Sequence, residues 1–276
     1  MYLIFDFDGT ITVQDTIGEL AASAVAWQQR LGCSLQGAWD EAVRAYGSDL
    51  AAAEKTKREE RRTVEDEIEF LAEARTVEEA SLNRVERTGI FAGLGRTDMF
   101  RMGAEAVREG RITIRAGFGA LTERAAGSGW RTCIISAHWS GAFIEGALSG
   151  TGFCGEVRAN EVDGASGRIG GGITTSADKV AALRRLVAVY DDDDADATVF
   201  YIGDAMTDFE CLIKEAGGAD YGVVMAGDGD ESSVLVRALR RLGFEVPAVG
   251  EMRRRGVRIG WAGSFDEVCL DDVASR

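Results

Sequence analysis

The opening residues, MYLIFDFDGTIT, constrain this chain more than any other segment. Tyr2 to Phe5 is a short, apolar, β-favouring run that reads as a buried strand. It ends abruptly in Asp6, Asp8, Gly9 and Thr10, which puts two acids and a turn signal at the strand's carboxyl end. In an open parallel sheet, that end is where ligands bind. A turn at Gly9 can bring both carboxylates to bear on one ligand. A signal peptide would need a basic start before its apolar stretch, and this start lacks one, so the expected location is cytoplasmic.

Composition removes several alternatives. The 276 residues carry 46 acids against 31 bases, a formal net charge of −15. That balance argues against sequence-independent nucleic-acid binding, which needs surplus Lys and Arg. No apolar run approaches the roughly 18 residues of a membrane span, so no membrane partner is expected. The five cysteines are scattered and form no CxxC pair, which suits neither a disulfide framework nor a zinc site. A hydrophobic content of 46% argues against disorder. Pro247 is the single proline, so turns fall to Gly, Asp, Asn and Ser.

Three later segments matter. Arg131 to Ser136 is an apolar run ending in Ser, followed by Ala137 and His138. Ser176 to Leu183 places Lys179 in the first turn of a helical pattern. Val199 to Asp208 is an apolar run followed by Gly203-Asp204 and then Asp208. Alone, each has an ordinary structural explanation. Together with DFDGT, in this order, they resemble the four motifs of the haloacid dehalogenase superfamily. The resemblance covers residues 1–14 and 113–225.

That resemblance implies a Rossmann-like α/β core with a parallel sheet. It also implies a nucleophile, Asp6, that accepts the phosphoryl group, and a general acid and base, Asp8. Mg²⁺ would be held by Asp6, Asp204 and the backbone carbonyl of Asp8. Ser136, Ala137 and Lys179 would hold phosphoryl oxygens, with Asp208 supporting the metal's outer shell or orienting Lys179. The residue types suit the chemistry, because Mg²⁺ takes oxygen ligands and usually one or two carboxylates. An acid at position 8 implies hydrolysis, since related ion pumps carry Thr there and the dehalogenases lack this acid.

From Asp15 to Ile112 the pattern is helical, with no strand candidate. Helices are expected over Ile17 to Leu31 and Leu35 to Tyr46. A further helix should carry the stripe Val64, Ile68, Leu71, Leu82 and Val85, and Thr97 should cap a last one running to Glu109. This insertion resembles the helical cap of the phosphoserine-phosphatase-like branch. The expected organisation is therefore a catalytic core of residues 1–14 and 113–276 and a cap of 15–112. The Lys55 to Arg62 run reads as a solvated helix face, and fourteen bases against nineteen acids leave the insertion without a positive field. Trp27 and Trp39 read as cap core. His138 either lines the site or is a polar loop residue.

Beyond the second motif, Trp139 to Leu148 reads as a helix and Cys154 to Glu161 as a strand. The Gly164 to Gly172 stretch reads as a hairpin or flap. Tyr221 to Met225 and Val257 to Trp261 read as strands flanking a helix from Ser232 to Leu242, and Asp191 to Asp196 as a solvated loop. The expected activity is Mg²⁺-dependent hydrolysis of a small phosphate monoester. The same site also suits a phosphotransferase or mutase, or a diphosphate-ester hydrolase. A receiver-like phosphate-responsive module is the non-enzymatic alternative, and such modules lack a helical insertion of this size. A helical cap could equally supply a homodimer face.

Overall fold

The computed structural model describes residues 1–56, 61–190 and 197–269, with the side chains of 54–56 and 190 left out. Residues 57–60 of the basic run at 55–62, and all of the acidic run at 191–196, lie outside the described residues.

Six parallel strands form the main sheet: β1 (Tyr2–Phe5), β2 (Arg131–Ile135), β3 (Glu156–Arg158), β6 (Val199–Gly203), β7 (Tyr221–Met225) and β8 (Ile259–Ala262). Between them, β4 (Glu161–Val162) and β5 (Ile169–Gly170) pair as a separate antiparallel hairpin. The sheet order is β3-β2-β1-β6-β7-β8. The chain thus winds outward from β1 in one direction, then returns to lay β6 on its other side. This is the doubly wound pattern, and the reversal opens a crevice beyond the carboxyl ends of β1 and β6. The register sets Phe5 beside Ile202, so Asp6 and Asp204 leave the sheet at nearly the same level.

Side-chain alternation builds a core on each face. Tyr2, Ile4, Cys133, Ile135, Val199 and Tyr201 pack to one side with α8 (Ser176–Tyr190). Leu3, Phe5, Ile134, Phe200 and Ile202 pack to the other with α6 (Phe118–Gly127). The resulting α/β architecture is the expected Rossmann-like class.

Between β1 and β2 lie α1 (Ile17–Arg30), α2 (Gln36–Thr56), α3 (Val64–Glu73), α4 (Arg75–Thr88) and α5 (Arg96–Arg108). The stripe from Val64 to Val85 is split between α3 and α4 rather than carried by one helix. The chain must turn near Ala74 because Val64, Ile68 and Leu71 pack against the sheet-side core, whereas Val85 joins a third, helical cluster. The last helix is capped from Gly95, whose N–H donates to Asp98 Oδ2, and Thr97 lies within it. Helix α2 runs on past Tyr46 to Thr56. No described helix is long and apolar enough to cross a membrane.

Helix α5 crosses α7 (Gly141–Leu148) at close range through two glycines. A Cβ on Gly103 would collide with the Phe143 carbonyl, and one on Gly146 with the Phe100 carbonyl. Ala142 and Phe143 accordingly belong to the helical cluster, which ties the inserted helices to the sheet layer.

Two further expectations need correction. Helix α7 starts at Gly141, not Trp139, because Ser140 Oγ accepts the Phe143 N–H at 3.2 Å and caps it. That leaves residues 137–139 as loop beside the crevice. The strand expected over 154–161 ends at Arg158, because buried Asn160 draws the chain away. Its Nδ2 donates to the Ala137 and Ile173 carbonyls at 3.1 and 2.7 Å, and its Oδ1 accepts the Ile173 N–H at 3.0 Å. The hairpin expected over 164–172 is present as β4–β5, set back to Glu161.

Candidate active site

Asp6 follows directly on β1, is 4% exposed, and pairs with Lys179 Nζ at 2.8 Å. The contact lies outside hydrogen-bonding geometry, so Asp6 Oδ1 is buried without a directed donor. Lys179 comes from the first turn of α8, is 1% exposed, and donates to Asp208 Oδ1 at 2.7 Å. Burial works against its ammonium, but the Asp208 and Asp6 charges outweigh it and raise the lysine above its ordinary value.

Asp208 is saturated. Its Oδ1 accepts Lys179 and the Tyr201 hydroxyl at 2.7 Å each, and its Oδ2 accepts the N–H groups of Asp204 and Ala205 at 3.1 Å each. Asp204, at the end of β6, accepts the Thr10 hydroxyl on Oδ1 at 2.8 Å. Gly9 makes this approach possible. Its φ of 70° is left-handed, and a Cβ there would run into the Asp204 carboxylate.

Asp8 is held apart from this cluster. Its Oδ1 accepts both the Thr16 N–H at 2.8 Å and the Thr16 hydroxyl at 2.6 Å. Burial foremost, then the Asp15 charge, push its carboxyl up to about 7. Ser136 directly follows β2, is 1% exposed, and accepts the His138 N–H on Oγ at 3.1 Å. Ser136 and Ala137 line the same cavity as Asp6, Asp8, Lys179 and Asp204. His138 also lines it, and its ring stacks on Phe143 at a centroid distance of 5.1 Å. Its Nδ1 accepts the Ser140 N–H at 3.1 Å, and burial pushes the imidazole down to about 4.

Oxygen atoms of Asp6, Asp204 and Asp208 lie within 4.8 Å of one another. With Asp208 fully engaged, Asp6 and Asp204 are the carboxylates left for a cation. Burial, then the neighbouring acids, raise both carboxyls above their usual range against the opposing pull of Lys179. An all-oxygen set of crowded acids suits a hard dication, which would relieve that repulsion.

Sequence reasoning missed four residues that build this geometry. Thr10 orients Asp204 and Thr16 holds Asp8. Tyr201 completes the shell of Asp208. Arg115, 9% exposed, donates to the carbonyls of Gly9 at 2.5 Å and Thr10 at 2.9 Å and so clamps the loop after β1. Thr10 is within the DFDGT string, and Tyr201 stands out as a hydroxyl in an apolar strand. Arg115, 105 residues from its Thr10 partner, gives no local signal.

The cavity, about 480 Å³, extends from these acids into the inserted helices, where Trp39, Tyr46, Glu78 and Leu82 line it. Trp39 therefore faces the site as well as packing in the helical cluster, whereas Trp27 only packs.

Among known proteins, a CTO1 family protein of Schizosaccharomyces pombe is 32% identical over 233 residues, 77% of this chain and 78% of that one. Two solved structures share the fold. Cytosolic 5'-nucleotidase IIIB bound to cytidine aligns with a TM-score of 0.57 at 14% identity, over 82% of this chain and 73% of that one. A phosphoserine phosphohydrolase-like protein from Francisella tularensis aligns at 0.52 and 14%, over 96% of each chain. The family model described as haloacid dehalogenase-like hydrolase matches residues 3–212, and the chain belongs to that family.

Proposed function

We propose that this protein is a Mg²⁺-dependent phosphomonoesterase acting on a small phosphorylated metabolite through an aspartyl-phosphate. One observation carries the reading: Asp6 lies against the Lys179 ammonium while Asp8, on the same loop, is held separately by the N–H and hydroxyl of Thr16. Two carboxyl groups given different environments suit two different tasks.

In the first step an Asp6 oxygen bonds to phosphorus and the ester P–O bond breaks. Asp8, entering protonated, gives its proton to the departing alkoxide. In the second step water attacks the phosphorus of the aspartyl-phosphate. Asp8 takes the water's proton, phosphate leaves, and the Asp6 carboxylate is regenerated. In this reading Lys179 and the Ser136 hydroxyl would bind phosphoryl oxygens, with Asp208 holding the lysine beside Asp6. Asp6 and Asp204, with the Asp8 carbonyl, would hold Mg²⁺, whose charge would offset that of the phosphoryl oxygens. Residues 15–112 act in this reading as a cap that covers the site and reads the alcohol.

The test is hydrolysis of p-nitrophenyl phosphate with Mg²⁺. Asp6→Asn and Asp8→Asn should each abolish turnover. Full activity in Asp6→Asn would exclude the mechanism.

A further inference from the structure

Lys179 owes its place to the turn that carries it, and part of that turn is supplied from outside the sheet layer. Thr175 precedes α8, and Asp178 closes a capping box on it. Asp178 Oδ2 accepts the N–H groups of Thr174 and Thr175 at 3.1 and 3.0 Å, and their hydroxyls at 3.0 and 2.9 Å. Lys179 follows at once, its own N–H donating to the Thr175 carbonyl at 3.1 Å. Asp178 Oδ1 is left for Arg75, whose Nη2 donates to it at 2.7 Å and to Thr175 Oγ1 at 3.2 Å. Thr174 lines the cavity together with Lys179, so the box borders the site itself.

Arg75 is the first residue of α4 and lies 103 residues from Asp178 in sequence. It reaches the box because Val64, Ile68 and Leu71 of α3 seat on the sheet-side core, which includes Val180 and Leu183 of α8. A second carboxylate stands on Arg75's own helix, with Glu79 Oε1 3.9 Å from Arg75 Nη1. Asp178 is the better shielded of the two, its side chain 16% exposed against 59% for Glu79. Opposite charges attract more strongly away from water, so seating the inserted helices favours Asp178.

We propose that Arg75 is a positioning residue through which the seating of the inserted helices sets Lys179. Seated, the guanidinium completes the box and stiffens the turn that carries the ammonium. Unseated, it falls back to Glu79, and the turn keeps its local bonds alone. What Lys179 binds rests on the phosphomonoesterase reading above; the coupling adds that the insertion acts on the phosphoryl end of the site as well as covering it.

Inorganic phosphate, titrated calorimetrically in the presence of Mg²⁺, reads the coupling. Arg75→Met should weaken phosphate binding about fivefold. Arg75→Lys should recover part of the loss, since an ammonium reaches one of the two oxygens but does not span both. In a Lys179→Met background the same Arg75→Met change should alter affinity by less than about twofold, because its route to the phosphate is gone. Wild-type affinity in Arg75→Met, or an equal loss in both backgrounds, would overturn the proposal.

Hydrogen exchange needs neither phosphate nor the Lys179 variant. Amides of residues 174–179 should exchange faster in Arg75→Met than in the wild type, while those of α6 keep their rates. Equal rates at 174–179 would sink the coupling even in an active phosphatase. Faster exchange there, in a protein that neither binds phosphate nor hydrolyses p-nitrophenyl phosphate, would uphold the coupling and refute the phosphomonoesterase reading instead.

Discussion

Replacing Arg115 by Met should damage both stability and turnover, and the contacts give the size. The guanidinium donates to Gly9 O at 2.5 Å and Thr10 O at 2.9 Å, with longer contacts to Gly263 O at 3.3 Å and Thr12 O at 3.4 Å. Methionine preserves much of the stem packing and removes every donor. A hydrogen bond from a charged donor contributes about 1.5–3 kcal/mol, and the first two contacts have the distances for one each. Arg115 is 9% exposed, so water cannot readily replace it at the orphaned carbonyls. Relief of the guanidinium's own desolvation offsets part of the loss, leaving about 2–5 kcal/mol. At about 2–4 °C per kcal/mol for a chain of this size, melting should fall by roughly 4–20 °C. The clamp also fixes Thr10, whose hydroxyl orients Asp204. A small displacement there should lower kcat for p-nitrophenyl phosphate by about 10²-fold. Arg115→Lys should recover part of the stability but little of the kcat, because an ammonium cannot span the fork. Urea unfolding by circular dichroism, paired with steady-state kinetics, reads both effects. A Met variant within about 1 kcal/mol of wild type and equal in kcat would refute the clamp.

Other sites give sharper single readouts. His138, held at about 4 against an ordinary 6.5, binds fewer protons folded than unfolded between those values. Its contribution is therefore fully present above about pH 6.5 and lost as pH falls toward 4, by about 3 kcal/mol in all. The urea midpoint of His138→Gln should depend less on pH than the wild type's over that window, and parallel profiles would contradict the buried neutral imidazole. Gly103→Ala should destabilise by about 1–3 kcal/mol, since its Cβ meets the Phe143 carbonyl; an unchanged melting temperature would mean that α5 and α7 can part freely. Glu67, 1% exposed, pairs with Arg61 at 3.3 Å and with Arg241, joining α3 to the helix Val234–Arg241. Glu67→Ala should cost about 2–4 kcal/mol, and a loss equal to that of the Arg241→Ala variant's surface-type change, under about 1 kcal/mol, would show the pair to be incidental.

The strands were legible because their signal is local. Tyr2–Phe5 and Tyr221–Met225 are short apolar β-favouring runs, each with an acid at one end (Asp6 and Asp220), and that pattern holds whatever packs around them. Errors arose where distant side chains decide local structure. Asn160 ends β3 by bonding carbonyls in the 137 and 173 loops, and nothing within 154–161 announces it. The stripe from Val64 to Val85 keeps helical spacing across Ala74, yet its two halves serve different cores.

The same division runs through the site. Sequence alone determined the acids, lysine and serine at strand and helix ends, and their order along the chain, because turn chemistry and hydrophobic runs are properties of neighbouring residues. Only the tertiary structure chose between the two roles expected of Asp208, by spending its oxygens on Lys179, Tyr201 and two N–H groups. It alone joined Arg115 to the Gly9 loop and set Glu78, Tyr46 and Trp39 across a cavity from Asp6. Those partners are brought together by sheet order and by helices folding back over the crevice, and contacts made across such separations leave no period or spacing in the chain to read.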